Sequence, residues 1–154
     1  MKTAGDILQA KGQELICVDP ESTIYQAALR MNEKKIGAIL IKKDEEIVGI
    51  WTERDLLKNI TEEGFDPKKA RIKDYMTTDL RYAEYHDHVY RLLDKFLGMR
   101  LRHLLIRKDG KYVGILSTGD VIKASLNEKN KELKELNAML SWEYYENWRW
   151  ESRK

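Results

Sequence analysis

The sequence predicts an α+β protein made of two similar units packed as a pseudo-twofold pair, with a further helix at the C-terminus. One observation is a duplication. Gly49-Ile50-Trp51-Thr52-Glu53-Arg54-Asp55 returns 65 positions later as Gly114-Ile115-Leu116-Ser117-Thr118-Gly119-Asp120. The register holds backwards through Ile41 and Ile106, Met31 and Phe96, and Ile24 and Val89. A fixed-period repeat reports units that bury their apolar surface against one another. The other observation is that each copy shows helical apolar spacing, then two apolar runs split by a polar turn, then a second helix start.

Leu15-Ile16-Cys17-Val18, ended by Asp19-Pro20, reads as a short lead-in strand and turn. Thr23 and Gln26 match a capping box, and Ile24, Ala27, Ala28 and Met31 then fall on one helical face. Val89, Leu92, Leu93, Phe96 and Leu97 repeat that stripe. The runs Ile36-Gly37-Ala38-Ile39-Leu40-Ile41 and Leu101-Arg102-His103-Leu104-Leu105-Ile106 suit strands covered on both faces. Polar turns follow, the second with the Asp109-Gly110 hairpin signal. Strands over 47–51 and 112–116 then lead into helices expected at 55–60 and 120–126. The polar stretch 61–69, holding Gly64 and Pro67, reads as the linker. Gly5-Asp6-Ile7-Leu8-Gln9 and Lys73-Asp74-Tyr75-Met76-Thr77 are related lead-ins offset by 68, which leaves three extra residues near Lys11-Gly12-Gln13. The chain divides at this stage into residues 1–63, 64–126 and an aromatic-rich C-terminal helix, 127–154.

Composition narrows the function. The 154 residues carry 28 Lys and Arg against 26 Asp and Glu, a net charge of +2 with no basic stripe, so nucleic acid is not the expected partner. Cys17 is the one cysteine, which forbids an intrachain disulfide and fits a reducing compartment. No signal-peptide pattern and no apolar run of membrane-spanning length is present, and the expected location is cytoplasmic. No nucleophile–histidine constellation and no Walker-type loop is legible, so no enzymatic activity is expected. His86 and His88 flank Asp87 but lack a third ligand at helical spacing, and no metal is expected.

The repeated motif, Gly-hydrophobic-X-Thr/Ser-X-X-Asp, sits where a strand meets a helix. Glycine permits close approach by a backbone or a ligand ring. A hydroxyl at a helix start favours a phosphate, and an acid one turn on accepts hydrogen bonds from vicinal ribose hydroxyls. The same hydroxyl and acid also fit an ordinary capping box. Spacing alone leaves both readings open.

The two halves, over about residues 3–126, resemble a tandem pair of CBS domains, the Bateman module. The motifs that carry the likeness are both Gly-hydrophobic-X-Thr/Ser-X-X-Asp segments, Asp74-Tyr75-Met76-Thr77, Val18-Asp19-Pro20 and the Met31 helix. The resemblance implies β-α-β-β-α units and an adenosine-containing ligand in the clefts between them: AMP, ADP or ATP, with NAD or S-adenosylmethionine behind. It implies that Asp55 and Asp120 hold ribose hydroxyls and that Thr52 and Ser117 contact ribose or phosphate. Ile50, Trp51, Ile115 and Leu116 would flank sugar and base, and Gly37, Ala38, Ile39, Arg102, His103 and Leu104 would line the adenine. On this reading the first site is small and apolar beside the base, whereas the second carries Arg102 and His103. Arg54 adds charge to the first motif, where the second has Gly119. Leu105 departs from the family, in which proline is frequent at that place.

Beyond Ser125, Leu126, Leu133, Leu136 and Leu140 fall near heptad spacing. Trp142, Tyr144, Tyr145, Trp148 and Trp150 then crowd the tail, the composition of a contact surface. The helix either docks back on its own module or makes a contact between chains. The expected partners are a second copy, forming a homodimer, and an effector protein; the alternative is an interaction module whose ligand sites are vestigial.

Overall fold

The computed structural model describes residues 1–12 and 14–139. In order it contains α1 (Ala4–Lys11), β1 (Cys17–Val18), α2 (Ile24–Lys34), β2 (Ala38–Lys43), β3 (Glu46–Thr52) and α3 (Glu53–Asn59). A 3-10 turn (Ile72–Asp74) leads to β4 (Tyr82–Glu84), α4 (Val89–Met99), β5 (His103–Lys108), β6 (Lys111–Ser117) and α5 (Thr118–Met139). The architecture is α+β, as the repeat predicts.

The strands form two three-stranded sheets, β1-β2-β3 and β4-β5-β6. In each, the first pair is parallel and the second is an antiparallel hairpin. The registers repeat at the 65-residue offset: Leu40 faces Ile50 as Leu105 faces Ile115. A bulge falls between Ile41 and Lys42, and again between Ile106 and Arg107. The hairpin tips hold two successive positive φ angles, 49° and 68° at Asp44 and Glu45, 52° and 78° at Asp109 and Gly110. That is the tight turn whose twist matches the flanking strands. Only the second tip has the glycine it favours.

Pleating splits each apolar strand between two environments. Ile39, Ile41 and Trp51 point towards α2 and pack with Ile24, Ala27, Met31 and Ile72. Leu104, Ile106 and Leu116 likewise pack with Val89, Leu92, Phe96 and Val121. Leu40 and Leu105 lie on the opposite face and are each 1% exposed; Leu105 borders a cleft with Ile50 of the other unit, and Leu40 one with Ile115.

The halves exchange their lead-ins. α1 docks on the second unit, where Ala4 N–H donates to the Asp87 carbonyl (2.8 Å) and Gly5 N–H to that of Tyr85 (2.9 Å). Ala4 and Ile7 are buried in the core around Phe96. The linker and second lead-in dock on the first unit. Ile24 N–H donates to the Ala70 carbonyl (2.9 Å), Ile72 N–H to that of Ser22 (2.8 Å), and Ile50 and Thr77 bridge edge to edge. Phe65, Ala70, Tyr75 and Met76 pack against the first core.

This exchange explains the glycine of the repeated motif. The bare Cα of Gly49 lies against the side chain of Met76, and that of Gly114 against Leu8, so a Cβ at either place would overlap them. The close approach expected of a ligand is made by a lead-in residue instead.

Three elements differ from expectation. α1 is an eight-residue helix, closed at its start by a Thr3–Asp6 capping box and at its end by Gly12 in the left-handed region (φ 63°). α3 and α5 begin at Glu53 and Thr118, two residues early, because Thr52 and Ser117 are the residues that cap them. α5 then runs unbroken for 22 residues to Met139, across the boundary drawn at 126/127. Leu140 and the tryptophan-rich segment lie outside the described residues. No helix among the described residues is long and apolar enough to cross a membrane.

Gly114→Ala is expected to cost about 1–3 kcal/mol through overpacking against Leu8, read as a lower urea midpoint. Adding Leu8→Ala should recover part of that loss, whereas additive losses would contradict the contact.

Candidate functional site

Both motifs are capping boxes. Thr52 Oγ1 accepts from the Asp55 N–H (3.3 Å), while Asp55 Oδ2 accepts from the Thr52 N–H (2.9 Å) and hydroxyl (3.1 Å). Ser117 Oγ accepts from the Asp120 N–H (3.1 Å), and Asp120 Oδ2 from the Ser117 N–H (2.8 Å). The anion seat expected at the helix starts is largely taken. The Glu53 N–H donates to the Gly37 carbonyl (3.0 Å) and the Thr118 N–H to that of Arg102 (2.9 Å). Capping nevertheless uses only one carboxylate oxygen. Asp55 Oδ1 has no hydrogen-bond partner among the described residues.

Each motif opens onto a cleft between the units. The first cleft, about 430 Å³, joins Gly37, Ile50, Thr52, Glu53, Arg54 and Asp55 to Arg100, Leu101, Arg102, His103 and Leu105, with Thr77, Asp79 and Arg81 from the segment between the units. The second, about 230 Å³, joins Gly37, Ala38 and Leu40 to His103, Ile115, Ser117 and Asp120, with Lys11, Glu14, Ile16, Lys35 and Ile36.

Two expectations need correction. Arg102 stands opposite Thr52 and Asp55, and Ala38 opposite Ser117 and Asp120, because in the pair the strand start of one unit faces the motif of the other. The basic wall therefore belongs to the first cleft; His103 lines both. Secondly, Ile39, Trp51, Leu104 and Leu116 line neither cleft. All are fully buried, since alternation turns them towards the helices. Trp51 is anchored there by its indole N–H, which donates to Asn59 Oδ1 (2.9 Å).

Sequence reasoning missed Lys11, Glu14, Thr77, Asp79, Arg81 and Arg100. None belongs to the repeated motif, and the lead-in residues reach the clefts only through the exchange.

The two clefts differ in charge. Four guanidiniums, Arg54, Arg81, Arg100 and Arg102, line the first. Among the described residues only Arg81 of these is ion-paired, with Asp79 (2.8 Å). In the second cleft Lys11 Nζ lies 2.8 Å from Asp120 Oδ2. Burial pushes the Asp120 carboxyl up, but the Lys11 ammonium and the Ser117 donors outweigh it and hold the group below its ordinary value. Burial, helped by Lys11, pushes the His103 imidazole down. Burial raises the Cys17 thiol, which favours its protonated form over the nucleophilic thiolate.

The family model of the CBS domain matches residues 4–62 and again residues 72–127. The chain belongs to the CBS-domain family. The mitochondrial CBS domain-containing protein CBSX3 of Arabidopsis thaliana is 31% identical over 152 residues, which cover 92% of this chain and 73% of that protein. The CBS-domain containing protein ATU1752 of Agrobacterium tumefaciens is similar in structure, with a TM-score of 0.75 and 30% identity over 80% of this chain and 99% of its own. The CBS domain protein PAE2072 of Pyrobaculum aerophilum, solved in complex with AMP, shares the fold at a TM-score of 0.67 and 19% identity, over 77% of this chain and 89% of its own.

The lowered His103 predicts a pH dependence. Above the ordinary imidazole value of 6.5 the ring is neutral in folded and unfolded chains alike and contributes nothing. As pH falls through 6.5 the unfolded chain takes up the proton first, so stability declines until the folded ring also protonates. Denaturant midpoints should fall below pH 6.5, and His103→Gln should flatten that decline. Asp120 acts lower, losing its contribution as pH drops through its depressed folded value.

Proposed function

We propose that this CBS pair is a non-catalytic regulatory module that binds an adenine nucleotide, AMP, ADP or ATP, in its first cleft. The observation that carries the reading is the juxtaposition in that cleft of Asp55, with one carboxylate oxygen unengaged, and three guanidiniums, Arg54, Arg100 and Arg102, none with an acidic partner among the described residues. The carboxylate suits ribose hydroxyls and the guanidiniums suit phosphate. Ile50 and Leu105 offer apolar surface to a base, and the His103 ring offers a face to stack on. The volume falls within the range of roughly 300–1,000 Å³ usual for small-molecule sites. The AMP bound by the Pyrobaculum relative supports the ligand class. Occupancy would shift the angle between the units by differential affinity, and a partner protein would read that shift.

Calorimetric titration with AMP, ADP, ATP, NAD and S-adenosylmethionine tests this. One ligand should bind saturably, and Asp55→Asn should weaken it at least tenfold. Silence across the panel from folded protein would defeat the reading.

A specific observation favours self-association alongside it. Leu126, Leu133 and Leu136 are 59%, 55% and 55% exposed on one side of α5. We infer that a second copy covers them, making the homodimer. Sedimentation should give a dimer that Leu133→Glu with Leu136→Glu converts to monomer; a monomeric parent would remove this reading.

A further inference from the structure

The two clefts arise from one duplication, yet the lead-ins that enter them carry opposite charges at the corresponding position. The 68-residue offset that aligns the lead-ins sets Lys11 against Asp79. Lys11 is the last residue of α1, and Gly12 in the left-handed region turns the chain away immediately after it. Its ammonium reaches into the second cleft, donating to Asp120 Oδ2 at 2.8 Å and to the Ile115 carbonyl at 3.4 Å. The two side chains of this ion pair are only 22% and 26% exposed. Asp79 in the first cleft pairs instead with Arg81, and no cation lies within ion-pair distance of Asp55 among the described residues.

We propose that Lys11 is a built-in latch that occupies Asp120 and closes the second cleft to ribose, so that the chain takes a single nucleotide, in the first cleft. The inference rests on the nucleotide reading above. The Ser117 N–H and the Lys11 ammonium share Asp120 Oδ2, so a ribose that is to engage both carboxylate oxygens with its two hydroxyls must displace the ammonium. A neutral hydroxyl is a weaker donor to a carboxylate than an ammonium is, so it does not displace Lys11 from Oδ2. In the first cleft Asp55 Oδ2 holds only the Thr52 donors among the described residues, so a ribose there has no ammonium to displace. The volumes agree: about 230 Å³ remain beside the latch, against about 430 Å³ in the open cleft. Lys11 thus sets the number of nucleotides bound without touching the one that binds.

The test is the stoichiometry of ADP binding, by calorimetry on the full chain. The parent should bind one ADP per chain and lose it on Asp55→Asn. Lys11→Met should bind two, and Lys11→Met with Asp55→Asn should keep one, whereas Lys11→Arg, which preserves the charge, should stay at one. Two ADP on the parent, or one on Lys11→Met, would overturn the latch. If no variant binds ADP, the nucleotide reading fails separately, and the latch is then judged by carbon-13 titration of the Asp120 carboxyl. A midpoint that rises on Lys11→Met sustains it. A midpoint that does not move sinks it.

Discussion

The central strands of this protein, β2 and β5, are apolar on both faces, and neither half carries enough structure to cover both. One face of each sheet is closed by that half's own helices together with the exchanged lead-in, around Met31 in the first unit and Phe96 in the second. The other face, with Leu40 and Leu105, can leave water only against the opposite half. At about 25 cal/mol per Å² of apolar surface, two such faces left exposed would outweigh the few kcal/mol by which a domain of this size is stable. Pairing is therefore a condition of folding, and the clefts are its by-product. Each of the two clefts between the units meets the start of a helix capped by Thr52 or Ser117.

The exchanged lead-ins make the pairing specific and the clefts unequal. Each motif glycine is a socket for a lead-in side chain, Met76 or Leu8, so the geometry shared by the two copies serves assembly first. The lead-ins themselves have diverged. One is a helix that ends in Lys11; the other is a 3-10 turn followed by an edge bridge at Thr77 and a bend carrying Asp79 and Arg81. The repeat supplies two equivalent frames, and the segments that enter them supply different chemistry.

Much of this was legible in the sequence. The duplication gave the number of units and the Asp109-Gly110 turn gave the hairpin, while the helices after each motif were expected two residues late. The lead-in over 5–9 was recognised but given no secondary structure, although Thr3, Asp6 and Gly12 mark the ends of the helix it forms. What could not be read is which face of a continuous apolar run points where. Trp51 and Ile50 are neighbours in the chain, yet one is sealed in a core and the other lines a cleft. Periodicity is silent when both faces are buried. The crossing of Arg102 to the Asp55 side is likewise a property of the pair rather than of either copy.

α5 begins at the Ser117–Asp120 cap beside the second cleft and is clamped to its unit by Val121 and Ala124 in the core and by Glu128, which accepts from the Lys2 N–H. From that clamp it continues without a break, about 33 Å end to end at 1.5 Å per residue. Such a helix behaves as a pointer rigidly mounted on one of two bodies. A change of about 10° in the angle between those bodies would sweep its far end through about 6 Å. A rearrangement too small to alter either core would thus become a displacement the size of a side chain, delivered well away from the place where it began.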